Sequence, residues 1–281
     1  MHNITLNNGV EMPVIGFGTF QITDADECMK CVREAIDTGY RMIDTAAHYH
    51  NEEYVGRAIN ESGVPREQIF ITSKLAVSDN DYENAKAAID RQLRLLDQDY
   101  LDLLLIHHPY GDVYGAWRAM QEAYKAGKLR SIGVSNFEAY RLMDFVLNNE
   151  IVPAVDQVET HPYCQQKRVQ KVMDEFGIRL VASETLAQGR NNLFQDKNFG
   201  KIAEAHGKTI GQVVLRWHLQ AGHTVIPKSV HKERIKENFD IFDFELSEEE
   251  MKVFEPYDTG ESIFCDRRDP ERVRTFCKEH H

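Results

Sequence analysis

The chain has 281 residues, of which 42% are hydrophobic and 28% charged, and its formal net charge is −12. These values are typical of a soluble globular protein, and the acidic charge argues against a nucleic-acid partner, because phosphate contacts need a basic face. No apolar run approaches the roughly 18 residues of a membrane span and no signal peptide is recognisable, so we expect a cytoplasmic protein without a membrane partner.

Apolar runs alternate with amphipathic runs along the whole chain. Segment 3–13 has the pattern of a β-hairpin with Asn7-Asn8-Gly9 at its turn. Eight short runs rich in Val, Ile and Leu predict buried strands at 14–19, 41–45, 69–73, 101–107, 131–135, 154–160, 179–182 and 224–227. Apolar residues at three- and four-residue spacing predict helices at 24–38, 51–61, 82–96, 114–125, 139–148, 166–176, 210–220 and 232–239.

Eight strand–helix units predict an α/β fold, a closed (β/α)8 TIM barrel. A doubly wound sheet is less consistent with the sequence, because no strand is followed by G-x-G-x-x-G. We expect one domain over residues 1–281, in which the hairpin 3–13 caps the barrel. Residues 247–281 are expected to form a C-terminal helix, capped by Ser247, and then an irregular tail.

Titratable side chains follow several of the predicted strands, where a barrel keeps its catalytic residues. The second strand ends with Asp44 and leads to Tyr49, the third ends with Ser73-Lys74, and the fourth ends with His107. A phenol has an ordinary pKa of about 10, which an adjacent ammonium would lower, and a carboxylate would keep that ammonium in place. Together with a histidine that aims the substrate oxygen, these groups are suited to donate a proton to a carbonyl oxygen.

The same residues carry a resemblance to the aldo-keto reductase family, which extends from about residue 4 to the tail. The matching segments are Gly39-Tyr40-Arg41-Met42-Ile43-Asp44-Thr45-Ala46 with Tyr49 and Asn51-Glu52, Ser73-Lys74-Leu75, Leu105-Ile106-His107, Gly133-Val134-Ser135-Asn136-Phe137, Gln157-Val158-Glu159 with His161-Pro162, and Ile226-Pro227-Lys228-Ser229. The resemblance implies a monomeric oxidoreductase that reduces aldehydes or ketones to alcohols with NADPH. It places Asp44, Tyr49, Lys74 and His107 in the catalytic tetrad, with Tyr49 as general acid.

The resemblance also implies a cofactor site. Ser135, Asn136 and Gln157 would hold the nicotinamide carboxamide, and the segment from Lys228 to Asn238 the adenosine 2′-phosphate. The full expected set is Thr19, Phe20, Asp44, Ser135, Asn136, Gln157, Ser183, Glu184, Thr185, Leu186, Ile226, Pro227, Lys228, Ser229, Val230, Arg234, Glu237 and Asn238. Two cations and a hydroxyl within seven residues suit a phosphate dianion, which favours NADPH over NADH.

Several positions depart from the family pattern. Ala76 and His108 stand where the family often has a bulky side chain, and Ser183 where an aromatic ring stacks on the nicotinamide. Glu184 brings a carboxylate close to the expected cofactor. We therefore expect a widened substrate pocket, lined by Phe20, His48, Ala76, His108 and the tail around 263–268, and a weaker grip on the nicotinamide.

Two other classes of function stay open at this stage. A metal-dependent hydrolase could use His48, His50, His107 and His108 with Asp44 to hold Zn²⁺ and activate water, although we expect no resident metal. A barrel that binds a nicotinamide nucleotide without efficient turnover is the second alternative, and Ser183 with Glu184 is its motivation.

Overall fold

A computed structural model describes residues 2–279, and its centre is a sheet of eight parallel strands. A separate antiparallel hairpin, β1 (Asn3–Thr5) with β2 (Glu11–Pro13), precedes the sheet. The eight strands, each paired with the next in chain order, are β3 (Phe17–Gly18), β4 (Met42–Asp44), β5 (Phe70–Leu75), β6 (Leu103–Ile106), β7 (Ile132–Ser135), β8 (Val155–Glu159), β9 (Arg179–Ser183) and β10 (Thr224–Val225).

Backbone hydrogen bonds between the first and last strands close the sheet into a barrel. The Gly16 amide donates to the Val225 carbonyl at 2.8 Å, and the Val225 amide donates to the Val14 carbonyl at 3.1 Å. One step further along, the Gly18 amide donates to the Pro227 carbonyl at 3.2 Å. The predicted (β/α)8 fold with an N-terminal hairpin is therefore confirmed.

Eleven helices surround or follow the strands of the described part of the chain. They are α1 (Ala25–Thr38), α2 (Glu52–Asn60), α3 (Tyr82–Leu96), α4 (Val113–Lys125), α5 (Ala139–Leu147), α6 (Lys167–Phe176), α7 (Lys197–His206), α8 (Ile210–Gln220), α9 (Lys232–Phe239), α10 (Glu248–Lys252) and α11 (Pro270–Glu279). The predicted helices agree with these bounds to within a few residues at each end, as with α1, where the Asp24 side chain accepts a hydrogen bond from the Glu27 amide and caps the N-terminus.

Two of these helices were not predicted. Helix α7 lies between β9 and α8, so the seventh unit contains two helices, and α11 occupies most of the segment that we expected to be irregular. The expectation of an irregular tail is therefore wrong for Pro270–Glu279, while His280 and His281 lie outside the described residues. Both helices had signals in the sequence: Asp196 caps α7, and proline is well suited to the first position of α11.

The hairpin closes the N-terminal end of the barrel. Leu6 and Met12 are buried against Met42, Leu103 and other side chains inside the strands. The side-chain amides of Asn7 and Asn8 donate to the carbonyls of Pro153 (3.0 Å) and Arg130 (2.9 Å). With this end sealed, the open end is the one at which the parallel strands terminate.

Both tryptophans and the two cysteines of α1 lie in the interior of the fold. Trp117 packs edge-on against Phe145 and Trp217 stacks on Phe254, so both are packing residues. Cys28 and Cys31 are buried in α1 as free thiols. Within residues 2–279, none of the helices has the length and apolar character needed to cross a bilayer.

The protonation state of Asp156, in β8, can be tested by its effect on stability. Its side chain is fully buried, and burial raises the pKa of this carboxyl group well above its ordinary value. The folded state therefore keeps a proton that the unfolded chain releases above about pH 4, and stability is lost as the pH rises. We expect the melting temperature of Asp156→Asn, relative to the parent, to increase steadily from pH 5 to pH 8.

The exposed Asp174→Asn of α6 is the matched control for removal of one negative charge. Thermal unfolding at four pH values measures the difference for each variant. A difference for Asp156→Asn that stayed constant across this range would contradict a buried neutral acid.

Candidate active site

A fully buried ion pair lies at the open end of the barrel. Lys74 of β5 has no exposed surface, and its Nζ donates to Asp44 Oδ1 at 2.6 Å and to the Thr45 carbonyl at 2.9 Å. The other carboxylate oxygen of Asp44, Oδ2, accepts a hydrogen bond from Gln157 Nε2 at 2.8 Å. Because both oxygens are held, the carboxylate is fixed, and it in turn fixes the ammonium.

Tyr49 lies beside this pair, on the short 3-10 turn Ala47–Tyr49 that follows β4. Lys74 Nζ is 3.4 Å from the phenol oxygen and 5.0 Å from the ring centre. The pKa of Tyr49 lies well above its ordinary value, chiefly because the phenol is desolvated and also because of the charges of Asp44 and Glu184. The expectation of a lowered pKa for Tyr49 is therefore wrong, because desolvation and the two carboxylates dominate.

His107 follows β6 and completes the group of four. Its ring lies edge-on to Tyr49 with the ring centres 5.8 Å apart, and it stacks on His108 at 4.7 Å. The ring of Phe276, from α11, contacts His108 at 4.7 Å. Asp44, Tyr49, Lys74 and His107 are thus brought together from three adjacent strands.

Polar side chains at the ends of β7 and β8 lie next to this group. Ser135 Oγ donates to the Gln157 carbonyl at 2.7 Å. Asn136 has a left-handed backbone (φ 62°), which turns its side chain back so that Nδ2 donates to the His107 carbonyl at 2.9 Å. The three residues expected at a carboxamide therefore share one region of the barrel mouth.

A cavity of about 580 Å³ opens above these residues. Its lining consists of Gly18, Phe20, Gln21, Asp44, His48, Tyr49, His107, His108, Ser135, Asn136, Gln157, Ser183, Glu184, Thr185, Leu186, Gln188, Ile226, Pro227, Lys228, Arg267 and Phe276. Most of the sequence-predicted site residues are in this set. Gly18, Gln21, Gln188 and Phe276 were not predicted, and Arg267 was anticipated only as part of the tail.

Other predicted residues lie outside the lining of the cavity. Lys74 is below its floor, and Thr19 is buried, with Oγ1 donating to the Asp44 carbonyl at 3.0 Å. Ala76 does not line the cavity. The remaining ones are on or just before α9: Ser229, Val230, Arg234, Glu237 and Asn238.

Two exposed cations lie just before and at the start of α9. Lys228 is exposed at the cavity edge and Arg234 is exposed in the first turn of α9. Neither forms a salt bridge with any described residue, whereas the neighbouring Lys232 Nζ contacts Glu34 Oε1 at 2.7 Å. Glu237 Oε1 accepts a hydrogen bond from Thr209 Oγ1 at 2.7 Å. Within residues 2–279, both cations at this edge therefore lack a salt-bridge partner.

The end of β9 has neither an aromatic ring nor a proline. Ser183 and Glu184 both line the cavity, and Glu184 has a left-handed backbone (φ 49°). Its Oε2 is buried without a hydrogen-bond partner among residues 2–279. After desolvation and the charge of Asp44, this carboxylate also raises the pKa of Tyr49, and it opposes the lowering effect of burial on the pKa of Arg267.

The histidines at the mouth do not form a metal site with Asp44. The rings of His48 and His50 are 5.9 Å apart, and both residues are exposed. Among the described residues, no group of three or more His, Cys, Asp or Glu side chains has a geometry that could hold a metal ion. Within residues 2–279, the alternative of a metal-dependent hydrolase therefore has no group of side chains that could bind Zn²⁺.

Fold and site together define a class of protein. The aldo/keto reductase family model matches residues 14–257, and the chain belongs to that family. Glyoxal reductase from Bacillus subtilis (strain 168) is 48% identical over 92% of this chain and 94% of its own length. Morphine 6-dehydrogenase from Pseudomonas putida is 41% identical over 95% of this chain and 94% of its own.

Solved structures agree with the sequence relatives. An aldo-keto reductase from a Medee basin deep-sea metagenome library superposes with a TM-score of 0.91 and 42% identity, covering 94% of this chain and 97% of the other. A Bombyx mori aldo-keto reductase in complex with NADP gives a TM-score of 0.89 and 33% identity, covering 95% and 96%. Each of these two comparisons therefore extends over most of the chain.

The buried ion pair gives the first test of the site. Lys74→Met removes the ammonium and leaves Asp44 charged and buried, which typically costs about 3–5 kcal/mol. We expect urea unfolding to show a decrease of this size in the free energy of unfolding. The double variant that combines Lys74→Met with Asp44→Asn should recover part of the lost free energy of unfolding, because the uncompensated charge is then removed.

Lys125→Met is the matched control, since Lys125 and Glu150 form an exposed ion pair at 3.0 Å. Its unfolding midpoint should stay almost unchanged. Equal losses of stability for the two lysine substitutions would show that the buried Lys74–Asp44 pair contributes no more to folding than the exposed pair does.

Proposed function

We propose that this protein reduces aldehydes or ketones to alcohols with NADPH, and that Tyr49 donates the proton. The observation that carries the proposal is the contact of Tyr49 with the Lys74–Asp44 pair at the floor of a cavity in an aldo/keto reductase. The names of two relatives, a glyoxal reductase and a morphine 6-dehydrogenase, support oxidation–reduction between carbonyl and alcohol groups as the reaction class.

The residues present fit a nicotinamide cofactor. Ser135, Asn136 and Gln157 offer hydroxyl and amide groups at the cavity for the carboxamide. Gly18 lies so close to the opposite strand that an added Cβ would be 2.8 Å from the Ile226 carbonyl oxygen, so a larger residue would disturb the cofactor edge of the cavity. When bound, NADPH would supply the hydride that reduces the carbonyl carbon.

The cations near α9 support NADPH over NADH. Lys228 and Arg234 have no carboxylate partner among the described residues, and they lie where the first turn of α9 also presents positive backbone charge. A phosphate dianion would satisfy both side chains by charge-assisted hydrogen bonds. The complex of the Bombyx mori relative with NADP is consistent with this preference.

The proton chemistry follows from the contacts of Tyr49. Tyr49 is protonated at neutral pH, and its raised pKa means that proton transfer to the carbonyl oxygen depends on stabilisation of the phenolate that forms. As the proton leaves, Lys74 Nζ, 3.4 Å away, compensates the negative charge on the phenolate. Asp44 and Gln157 hold the lysine side in place, and His107 beside Tyr49 would orient the carbonyl oxygen.

The end of β9 would affect the cofactor most. Ser183 presents no ring to the nicotinamide face, and Glu184 adds a negative charge to the cavity. We infer that the nicotinamide is held less tightly than by an aromatic residue, by about 1 kcal/mol of stacking. The substrate side, with Phe20, His48 and His108, would accept carbonyl compounds larger than a small aldehyde.

The proposal extends to the domain organisation, compartment and oligomeric state of the protein. A single domain is supported by the continuous barrel and the hairpin that seals it. We also propose a cytoplasmic monomer, and the net charge of −12 supports the absence of a nucleic-acid partner. The two alternative functions, metal-dependent hydrolysis and nucleotide binding without turnover, predict different results in the assay that follows.

The direct test is oxidation of NADPH with benzaldehyde, followed by absorbance with and without a chelator. We expect turnover that is insensitive to the chelator. Activity that the chelator abolishes would support the metal alternative, and binding of NADPH without oxidation would support the third class. In the same assay, Tyr49→Phe should lower kcat by at least about 100-fold, because the acid is lost.

The Kd of NADPH for Tyr49→Phe should stay within about twofold of the parent, since the ring is retained. Tyr54→Phe, a partly buried tyrosine of α2 outside the cavity, is the control. Retention of the parental rate by Tyr49→Phe would refute the assignment of the general acid.

Lys228→Ala and Arg234→Ala test the preference for NADPH. Each should weaken NADPH binding by about 10-fold or more, because a charged hydrogen bond is lost, and should leave NADH binding nearly unchanged. Lys232→Ala is the matched control at the same helix, since Lys232 is already paired with Glu34. Fluorescence titration measures all six values, and equal losses for both nucleotides would contradict a 2′-phosphate site.

A further inference from the structure

The C-terminal segment, residues 258–279, contributes to the cavity although it lies beyond the family match, which ends at residue 257. Two of its side chains, Arg267 and Phe276, line the same cavity as Tyr49 and His107. The segment therefore forms part of the wall that a substrate would meet. A wall made by a chain terminus needs an attachment to the barrel.

That attachment converges on one carboxylate, Glu159, the last residue of β8. Its side chain is buried, and Oε1 accepts hydrogen bonds from His161 Nε2 at 3.0 Å and the Ile263 amide at 3.1 Å. Oε2 accepts from Ser262 Oγ at 2.5 Å and from Arg267 Nη1 at 3.2 Å. Three of these four donors belong to the C-terminal segment.

The electrostatics of this contact make it an anchor. Burial alone would raise the pKa of Glu159, but the hydrogen bonds from His161 and Ser262 and the charge of Arg267 lower it below its ordinary value. The ionised carboxylate thus balances the guanidinium of Arg267. Loss of the negative charge would leave Arg267 without this partner in a half-buried site, which favours its release to solvent.

A second set of contacts carries the effect to the substrate side. Tyr110 Oη donates to the Arg267 carbonyl at 2.9 Å. The ring of Phe276 packs on His108 at 4.7 Å and on Tyr110 at 5.9 Å. Since His108 stacks on His107, the position of the segment reaches the edge of the catalytic group.

We propose that Glu159 is a positioning residue that fastens residues 258–279 to the barrel, and that carbonyl substrates with a flat aromatic body depend on this contact because they reach the Phe276–His108 wall. A compact aliphatic carbonyl fills only the space next to Tyr49 and does not need the wall. The inference rests on the proposed carbonyl reduction and adds to it a determinant of substrate size.

The test uses Glu159→Gln in the full chain, which keeps the shape of the side chain and removes its charge. With NADPH saturating, the KM for 2-naphthaldehyde should rise about 10-fold, and kcat should change by less than about twofold. Both constants for propanal should be unchanged within about twofold. Limited proteolysis should cleave the variant within residues 258–279 faster than the parent.

Two further variants separate the wall from its anchor. Phe276→Ala should raise the KM for 2-naphthaldehyde without faster proteolysis, because the anchor stays in place. Glu261→Gln is the matched control, since Glu261 pairs with Arg268 at 2.8 Å on the exposed side of the same segment, and it should change neither readout. If Glu159→Gln does not fold, Ser262→Ala takes its place, because it removes one donor and leaves the carboxylate.

The outcomes are distinguishable. Equal changes in KM for both aldehydes, or faster proteolysis without a difference between them, would overturn the substrate role of Glu159. Unchanged proteolysis would overturn the anchor itself. If the parent reduced neither aldehyde, the proposed function would fail, and the proteolysis comparison would still decide whether Glu159 holds the segment.

Discussion

The structure depends on the burial of one positive charge, the ammonium of Lys74, inside the open end of a barrel. A lysine with no exposed surface is stable only where acceptors surround it, and Asp44 with the Thr45 carbonyl provides them. Those acceptors come from the last residue of β4 and the residue after it, and they lie beside Lys74 because β4 and β5 pair in parallel register, with Asp44 next to Thr72. The fold therefore creates the ion pair, and the ion pair in turn fixes the place of Tyr49.

The parallel arrangement of the strands explains which parts of the site could be predicted from the sequence. Parallel strands end on one side of the sheet, so residues such as Ser135 and Gln157, which follow or end different strands, were expected to meet, and they do. Strand positions were predictable because buried strands leave a dense apolar pattern. Helix α11 was not predicted, because its mainly polar sequence was interpreted as an irregular tail, although Pro270 suits the first position of a helix.

Electrostatic balance was the least predictable property. From the sequence, an ammonium next to a phenol suggested a lowered pKa for Tyr49. In the structure, desolvation and the carboxylates of Asp44 and Glu184 outweigh it and raise that pKa. The sign of such a shift depends on distances of a few ångströms and on burial, and neither is encoded in spacing along the chain. The contact of Phe276 with His108 was unpredictable for the same reason, because it joins residues far apart in sequence.

The two sides of the cavity are built by different means. On the side of α9, Lys228 and Arg234 are exposed cations without partners among the described residues, so a charged ligand can be attracted there without breaking an existing bond. On the side of the C-terminal segment, Glu159 is already paired with Arg267 and accepts hydrogen bonds from His161, Ser262 and the Ile263 amide. A preformed charge network resists rearrangement, because each group released from it would be left without its partner. One side is therefore suited to bind an ion and the other to keep its shape, which is what a reductase needs if one cofactor serves substrates that differ in size.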